Sequence, residues 1–272
     1  MRAADTRLGR VTHWTFEPLQ VVPVLLLAAL YARRVQTLRG RGTAPPGWRI
    51  CLFALGIVLL LVALASPIDY YVDSSFGVHM MQHILLGDLA PLAILGGLTR
   101  PVLRPLLRFV HPLRRLFHPF AALGLWALNL FIWHLPFLYE TALRHDAVHA
   151  LEHICFFTAG VLVWWPLIQP VPMRHRLTGL STFGYIGAAK LGLGALGLFL
   201  TWSSVVVYTY YEHVPRIWGL STIDDQRVGG AIMMVEQSLV LVTAFAILFV
   251  RMLLQSEEDE RRRERFEDAA AI

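Results

Sequence analysis

Two pairs of histidines with the same spacing occur in the 272-residue chain. His79 and His83 lie four residues apart, and so do His149 and His153. A separation of four residues places two side chains one above the other on the same face of an α-helix. Neutral imidazole nitrogen is a ligand for zinc, copper, iron and nickel. Two facing helices that carry these pairs would therefore offer four imidazoles to one small metal ion.

Further side chains extend this candidate metal site. In the membrane spans predicted below, His134 falls at a depth similar to that of the two pairs, and Met233 lies near the end of the last span on the same side. A thioether ligand shifts the preference of a site toward Cu(I), so copper is the favoured metal and zinc stays open. Haem is a rival, although histidines four residues apart could serve only one haem per pair, because two irons would lie too close.

Carboxylates near the histidines are expected to support them. A carboxylate that accepts the second N–H of a metal-binding histidine fixes the tautomer and the orientation of its ring. Asp146 and Glu152 share a helical face with His149 and His153, and Glu236 lies one turn beyond Met233. We therefore expect all three carboxylates to lie behind the ligands.

The composition indicates how these residues are held. Hydrophobic residues make up 56% of the chain and charged residues only 16%, and the mean hydropathy is +0.54. Ordinary soluble domains carry about 25% charged residues. This composition argues against a soluble enzyme, a disordered protein or a nucleic-acid binder, despite the net charge of +5. Since roughly 20 apolar residues cross a bilayer, the chain is predicted to be a polytopic membrane protein.

The hydropathy profile predicts an all-α fold with seven membrane-spanning helices. The predicted spans are Glu17–Ala32, Trp48–Ala65, Val78–Leu98, Pro119–Leu138, Ala147–Ile168, Phe183–Tyr208 and Val228–Leu254. We expect a single integral-membrane domain over residues 1–272. It would consist of an external tail (1–16), the bundle (17–254) and a charged cytoplasmic tail (255–272).

The arginines predict the orientation of the bundle. Seventeen of them fall in the tail and loops on one face, and six fall on the other face. Positive residues concentrate on the cytoplasmic side, so we expect the N-terminus outside and the C-terminus in the cytoplasm. This orientation puts both histidine pairs near the outer face.

Two opposite charges are predicted to lie inside the bundle. Asp88 falls near the middle of the third span, and Lys190 lies about eight residues from the cytoplasmic end of the sixth. Their depths differ by only a few ångströms, within reach of a lysine side chain. A structural ion pair between Asp88 and Lys190 is expected, with a proton or ion relay as the alternative.

Five segments carry a resemblance to a known family. They are HWTFEPLQ (13–20), SPIDYYVDSSFGVHMMQHILLGDLAPLAILG (66–96), HLPFLYETALRHDAVHALEHICFF (134–157), WWPL (164–167) and DQRVGGAIMM (225–234). They resemble the multi-spanning CtaG family of cytochrome c oxidase assembly factors, which is the seven-helix type. The resemblance covers nearly the whole chain.

This resemblance implies a multi-pass protein of the bacterial cytoplasmic membrane that assists copper insertion into a haem–copper oxidase. The family's motif histidines correspond to His79, His83, His134, His149 and His153. The implied partners are a cytochrome c oxidase subunit or a copper chaperone on the outer face, together with membrane lipids.

The residues and the resemblance together predict a copper-binding assembly factor, or metallochaperone, and not an enzyme. Two other functions stay open at this point. A copper transporter would need ligands along the whole depth of the membrane, and a haem- or quinone-linked redox protein would carry its cofactor between the helices.

Overall fold

The structure is a computed structural model that describes residues 14–110, 112–171, 177 and 179–270. Ten labelled helices make up its architecture. They are α1 (Pro18–Arg39), α2 (Gly47–Ala65), α3 (Pro67–Tyr71), α4 (Phe76–Ile84), α5 (Ala90–Gly97), α6 (Pro119–Trp133), α7 (Pro136–Arg144), α8 (Asp146–Ile168), α9 (Leu180–Trp202) and α10 (Thr222–Ala270). A π-helical turn, Leu85–Leu89, joins α4 to α5, and short helical turns lie between Arg100 and Arg115 and over Thr209–Glu212. The predicted all-α class is confirmed for the described residues, and most of the predicted N-terminal tail lies outside them.

Within the described residues, six helices are long and apolar enough to cross a membrane, or seven spans are present if a bent pair counts as one. The bent pair is α6 and α7, whose axes meet at 71°. The fourth predicted span, Pro119–Leu138, is therefore wrong in its last residues, because α6 ends at Trp133. The sixth is also too long, since α9 ends at Trp202 rather than at Tyr208.

Proline chemistry explains the bend between α6 and α7. Leu135 precedes Pro136 and adopts an extended backbone, as a residue before proline commonly does. Pro136 then occupies the first turn of α7, where its missing N–H costs no helical hydrogen bond. The bend leaves His134 at the C-terminal cap of α6, facing the interior and 6% exposed.

Two contacts hold α4 and the π-helical turn in place. Asp225 of α10 accepts hydrogen bonds from the Ser75 hydroxyl and from the backbone N–H of Phe76, both at 2.7 Å, at the start of α4. At the π-helical turn, α8 comes so close that a Cβ added to Gly160 would lie 2.1 Å from the Gly87 carbonyl oxygen. These contacts set the positions of the histidines on α4 and α8 relative to each other.

Candidate metal centre

Five histidines and one glutamate form a group that is buried except for the partly exposed His149, here called the histidine cluster: His79, His83, His134, His149, His153 and Glu152. The first two lie on α4, His134 caps α6, and the other three lie on α8. The ring centres of His79 and His149 are 5.2 Å apart, and those of His83 and His153 are 6.2 Å apart. His83 is 6.3 Å from His134. The predicted proximity of the two pairs is confirmed, and their binding of a metal stays a prediction.

Glu152 occupies the centre of the cluster rather than a position behind it. Its carboxylate oxygens lie 3.9 Å from His79 Nε2 and 3.6 Å from His83 Nε2, and its side chain is fully buried. His79, His149 and Glu152 can each place a ligand atom within 4.8 Å of the other two. Two ligand atoms at about 2 Å from one ion lie at most about 4 Å apart, so shifts of under about 1 Å would close this group on an ion.

Eight polar atoms of the cluster are buried without a hydrogen-bond partner among the described residues. They are His79 Nε2, both ring nitrogens of His83, His134 Nε2, His149 Nε2, His153 Nδ1 and both oxygens of Glu152. About 90% or more of buried polar groups in proteins are hydrogen-bonded. So many unpartnered nitrogens and oxygens around one carboxylate fit the ligand set of a cation.

Gln82 sets the tautomer of His153. The Gln82 amide nitrogen donates to the Ala63 carbonyl at 2.8 Å and to the Asp69 carboxylate at 2.9 Å. Its oxygen therefore faces His153 Nε2 at 3.1 Å and can only accept. His153 must then carry its proton on Nε2, which leaves the lone pair on Nδ1, an atom that is buried without a hydrogen-bond partner among the described residues.

The same reasoning applies to His134. Its Nδ1 lies 2.8 Å from the backbone carbonyl of Leu130, which can only accept a hydrogen bond. The proton is assigned to Nδ1, and Nε2 keeps its lone pair. Hydrogen bonds of this kind fix the ring orientation of histidines that bind metals.

A chain of phenols holds His79. The Tyr211 hydroxyl donates to the Val72 carbonyl at 3.0 Å, and burial raises the pKa of Tyr211 well above its ordinary value. Tyr139 O–H lies 3.0 Å from the Tyr211 oxygen and 2.8 Å from His79 Nδ1. Every donor is satisfied if His79 Nδ1–H donates to Tyr139, Tyr139 to Tyr211, and Tyr211 to Val72. His79 Nε2 then presents its lone pair to Glu152.

Two buried methionines lie beside the cluster. Met80 and Met233 are 1% and 2% exposed, and both line a cavity of about 40 Å³ together with His83 and His134. Met233 also packs against the apolar side chains around Phe76. The structure thus brings Met233 to the edge of the cluster, and it does not belong to the His79–His149–Glu152 group.

Two of the expected supporting carboxylates lie elsewhere. Glu236 pairs with Lys190 instead of a histidine: its Oε1 lies 3.3 Å from Lys190 Nζ. Asp146 is exposed at the start of α8 and hydrogen-bonds no histidine in the described part of the chain. Neither carboxylate hydrogen-bonds a histidine among the described residues, since one turn of helix fixes their depth but not the direction in which they point; their expected support of the histidines stays a prediction.

The predicted ion pair between Asp88 and Lys190 is confirmed. Asp88 also accepts a hydrogen bond from Trp164 Nε1, and Glu236 adds a second carboxylate to Lys190. We call Asp88, Lys190 and Glu236 the buried triad. The third member was missed because the sequence alone does not show which face of α10 meets α9.

Sequence reasoning also missed Tyr139, Tyr211 and Gln82. Gln82 lies between the two histidines of α4, and Tyr139 lies in the segment after His134. Gln82 could have been predicted from its position between the two candidate ligands His79 and His83. Tyr211 lies in the loop between α9 and α10, and no local pattern marks it.

Comparison with known families identifies the chain. Residues 29–255 match the cytochrome c oxidase caa3 assembly factor family (Caa3_CtaG). The match covers most of the chain, so the chain belongs to this family, and the resemblance predicted from its motifs is confirmed.

The chain is also similar to uncharacterized mycobacterial proteins. It is 28% identical over 278 residues to one from Mycobacterium bovis and to one from Mycobacterium tuberculosis, and 25% identical over 277 residues to one from Mycobacterium leprae. Each alignment covers 95% of this chain and 42% of the relative. The chain thus spans less than half the length of these relatives. No solved structure matches it.

Proposed function

We propose that this member of the family is a copper-binding assembly factor, not an enzyme, and that the histidine cluster holds the copper ion before it passes to an oxidase. Copper is the cargo in this proposal. The receiving partner is a cytochrome c oxidase subunit, or a copper chaperone, on the outer face of the bacterial cytoplasmic membrane.

The observation that carries the proposal is the set of ring nitrogens that are buried without a hydrogen-bond partner in the described part of the chain. His79, His134 and His153 each have one ring nitrogen engaged with the protein, at 2.8, 2.8 and 3.1 Å. The other nitrogen of each ring has no partner among the described residues. Glu152 adds a carboxyl group that pairs with no lysine or arginine of the described chain, so a bound cation would stabilise its ionised form. Neutral imidazoles around a carboxylate favour a cation over any anion.

The size of the site favours a small ion over a haem. The imidazole rings are 4.2 to 6.3 Å apart, and the adjoining cavity is about 40 Å³. A porphyrin needs far more room between helices. The thioethers of Met80 and Met233 beside His83 and His134 favour Cu(I) over zinc, because soft ligands select soft ions.

The buried triad argues against a copper channel through the bundle. A transporter needs ligands that continue beyond the cluster, and Asp88 lines the same cavity as His83 and His134. The Lys190 ammonium pairs with Asp88 there. Both oxygens of Asp88 are engaged, one by Lys190 and the other by Trp164, so the carboxylate is not free to act as the next ligand for a copper cation.

The proposal is tested by metal analysis of the purified full chain loaded with Cu(I). We expect stoichiometric copper in the unmodified protein and its loss in the His79→Ala, His149→Ala double variant, because the variant removes two of the three groups that converge. The matched control is His145→Ala, an exposed histidine at the start of α8. It should retain copper and support oxidase maturation.

Copper retained by the double variant at the level of the control would contradict the proposal. So would a double variant that loses copper in vitro but supports full oxidase maturation in cells. Zinc bound in preference to Cu(I) under competition would leave the cluster as a metal site but overturn copper as its cargo.

A further inference from the structure

We propose that the buried triad is a proton-binding site within the bundle, with the proton on Glu236, and that this proton exchanges with water through the cavity that Asp88 shares with the histidine cluster. This inference concerns groups outside the cluster and does not rest on copper binding.

The hydrogen bonds of the triad identify the protonated member. Both oxygens of Asp88 accept hydrogen bonds, one from Trp164 Nε1 and the other from Lys190 Nζ. A carboxylate that accepts on both oxygens is stabilised in its ionised form. Glu236 accepts only from Lys190 at 3.3 Å, and its Oε2 has no partner among the described residues. The proton therefore belongs on Glu236 Oε2.

The charges of the triad give the same result independently. Two carboxylates face one ammonium, and among the described residues only Lys190 forms an ion pair with either of them. Lys190 and Glu236 are 7% and 9% exposed. A negative charge without a partner is costly inside a membrane-spanning bundle. One bound proton makes the triad neutral: Asp88 negative, Lys190 positive and Glu236 uncharged.

The cavities provide a route for exchange. Asp88 lines the cavity of about 40 Å³ below His83 and His134, and a second cavity of about 20 Å³ lies beside Lys190 and Tyr185. A water molecule needs about 10–15 Å³ measured in this way, so both cavities can hold water. Glu236 lines neither cavity, so its carboxyl would first rotate on the shared Lys190 ammonium toward Asp88; the proton would then pass to the Asp88 carboxylate, and Asp88 would release it to cavity water.

The local backbone is consistent with a functional role. Asp88 lies in the π-helical turn Leu85–Leu89, where one extra residue is inserted between α4 and α5. Such single π-helical turns occur frequently at functional sites. The other titratable groups facing the triad across the cavities are His83, His134 and Tyr185.

Infrared spectroscopy of the full chain in lipid bilayers tests the proposal directly. A protonated carboxyl has a carbonyl absorption that a carboxylate lacks. Glu236→Gln should remove one such absorption at neutral pH, with normal accumulation of the protein, since the amide replaces the carboxylic acid at nearly equal volume. The matched control is Glu140→Gln, because the Glu140 carboxylate pairs with Arg144 at 2.7 Å and should be ionised. It should leave the absorption unchanged.

Exchange is tested in the same samples. On transfer to D₂O, the Glu236 absorption should shift in the unmodified protein, and the shift should be complete within minutes. A second variant, Lys190→Met, removes the ammonium, so both carboxyls of the triad should be protonated and the absorption should grow by about one further carboxyl.

Two results would overturn the proposal. An equal carboxylic acid absorption in the unmodified protein and in Glu236→Gln would mean that Glu236 is ionised. An absorption that does not shift after hours in D₂O would mean that the Glu236 proton does not exchange with water. If Glu236→Gln does not accumulate, an unchanged absorption in Lys190→Met overturns the charge argument by itself.

Discussion

The charge of Glu152 gives the sharpest quantitative prediction for the histidine cluster. Its oxygens lie 3.6 and 3.9 Å from two imidazole nitrogens, so a cation held by those nitrogens would lie at or below about 4 Å from the carboxylate. Two unit charges at 4 Å interact by about 4 kcal/mol at an effective dielectric constant of about 20. Since about 1.4 kcal/mol corresponds to a tenfold change in affinity, removal of the charge corresponds to nearly a thousandfold loss.

Glu152→Gln is the perturbation that isolates this charge. The amide keeps the shape of the side chain and one oxygen that could still act as a ligand, so part of the loss is recovered. We therefore expect Cu(I) affinity to fall by about 100-fold to 1,000-fold. The assay is a titration of the purified chain against a chromophoric Cu(I) chelator at fixed pH. Glu140→Gln serves as the control, since its carboxylate is engaged with Arg144 and with the loop at Thr209.

The Coulomb reasoning predicts a clear contrast between the two variants. A Glu152→Gln protein that binds Cu(I) within threefold of the unmodified chain would refute it, because no ion could then lie near that carboxylate. An equal loss in Glu140→Gln would refute it as well, since the effect would then come from net charge rather than from the cluster.

Two further predictions concern the surroundings of the cluster. Tyr139→Phe removes the nearer of two phenol oxygens at His79 Nδ1, at 2.8 Å, and leaves Tyr211 at 3.3 Å, so it should weaken copper binding by about 10-fold to 100-fold. Tyr208→Phe removes a buried phenol that donates to the His134 backbone carbonyl and contacts no imidazole nitrogen, so it should change copper binding less, and equal effects would contradict the tautomer argument. Reporter fusions after Gly40 and at the C-terminus should read as cytoplasmic, and one after Asp73 as external; the reverse pattern would put the cluster on the wrong face for delivery to an oxidase.

The histidine pairs were predictable because their geometry is local. The spacing of His79 and His83, and of His149 and His153, fixes their shared face within one helix whatever surrounds it. The depth of Asp88 and Lys190 was also predictable, since both lie on helices whose ends hydropathy marks. Local spacing and hydropathy were therefore sufficient for the ligand candidates and for one ion pair.

The rest depended on contacts between helices. Glu236 was expected near the cluster from its position one turn beyond Met233, but the rotation of α10 turns it toward Lys190. That rotation is set by close backbone contacts such as Gly197 against Gly230, where an added Cβ would lie 2.9 Å from the Gly230 carbonyl oxygen. Sequence periodicity gives the faces of a helix but not which neighbour each face meets. For the same reason Tyr211, on a distant loop, could not be connected with His79.

Gln82 orients one imidazole of the histidine cluster without adding a charge to the cluster. Its amide has two hydrogens and one oxygen engaged, with Ala63, Asp69 and His153. These hydrogen bonds fix the Gln82 amide, which in turn orients the His153 ring without placing a charge beside it. A carboxylate at position 82 would also orient His153, but it would add a second negative charge beside Glu152 and hold a cation more tightly. A neutral amide orients the ring and would leave a bound ion less tightly held, which suits the proposed transfer of copper by ligand exchange.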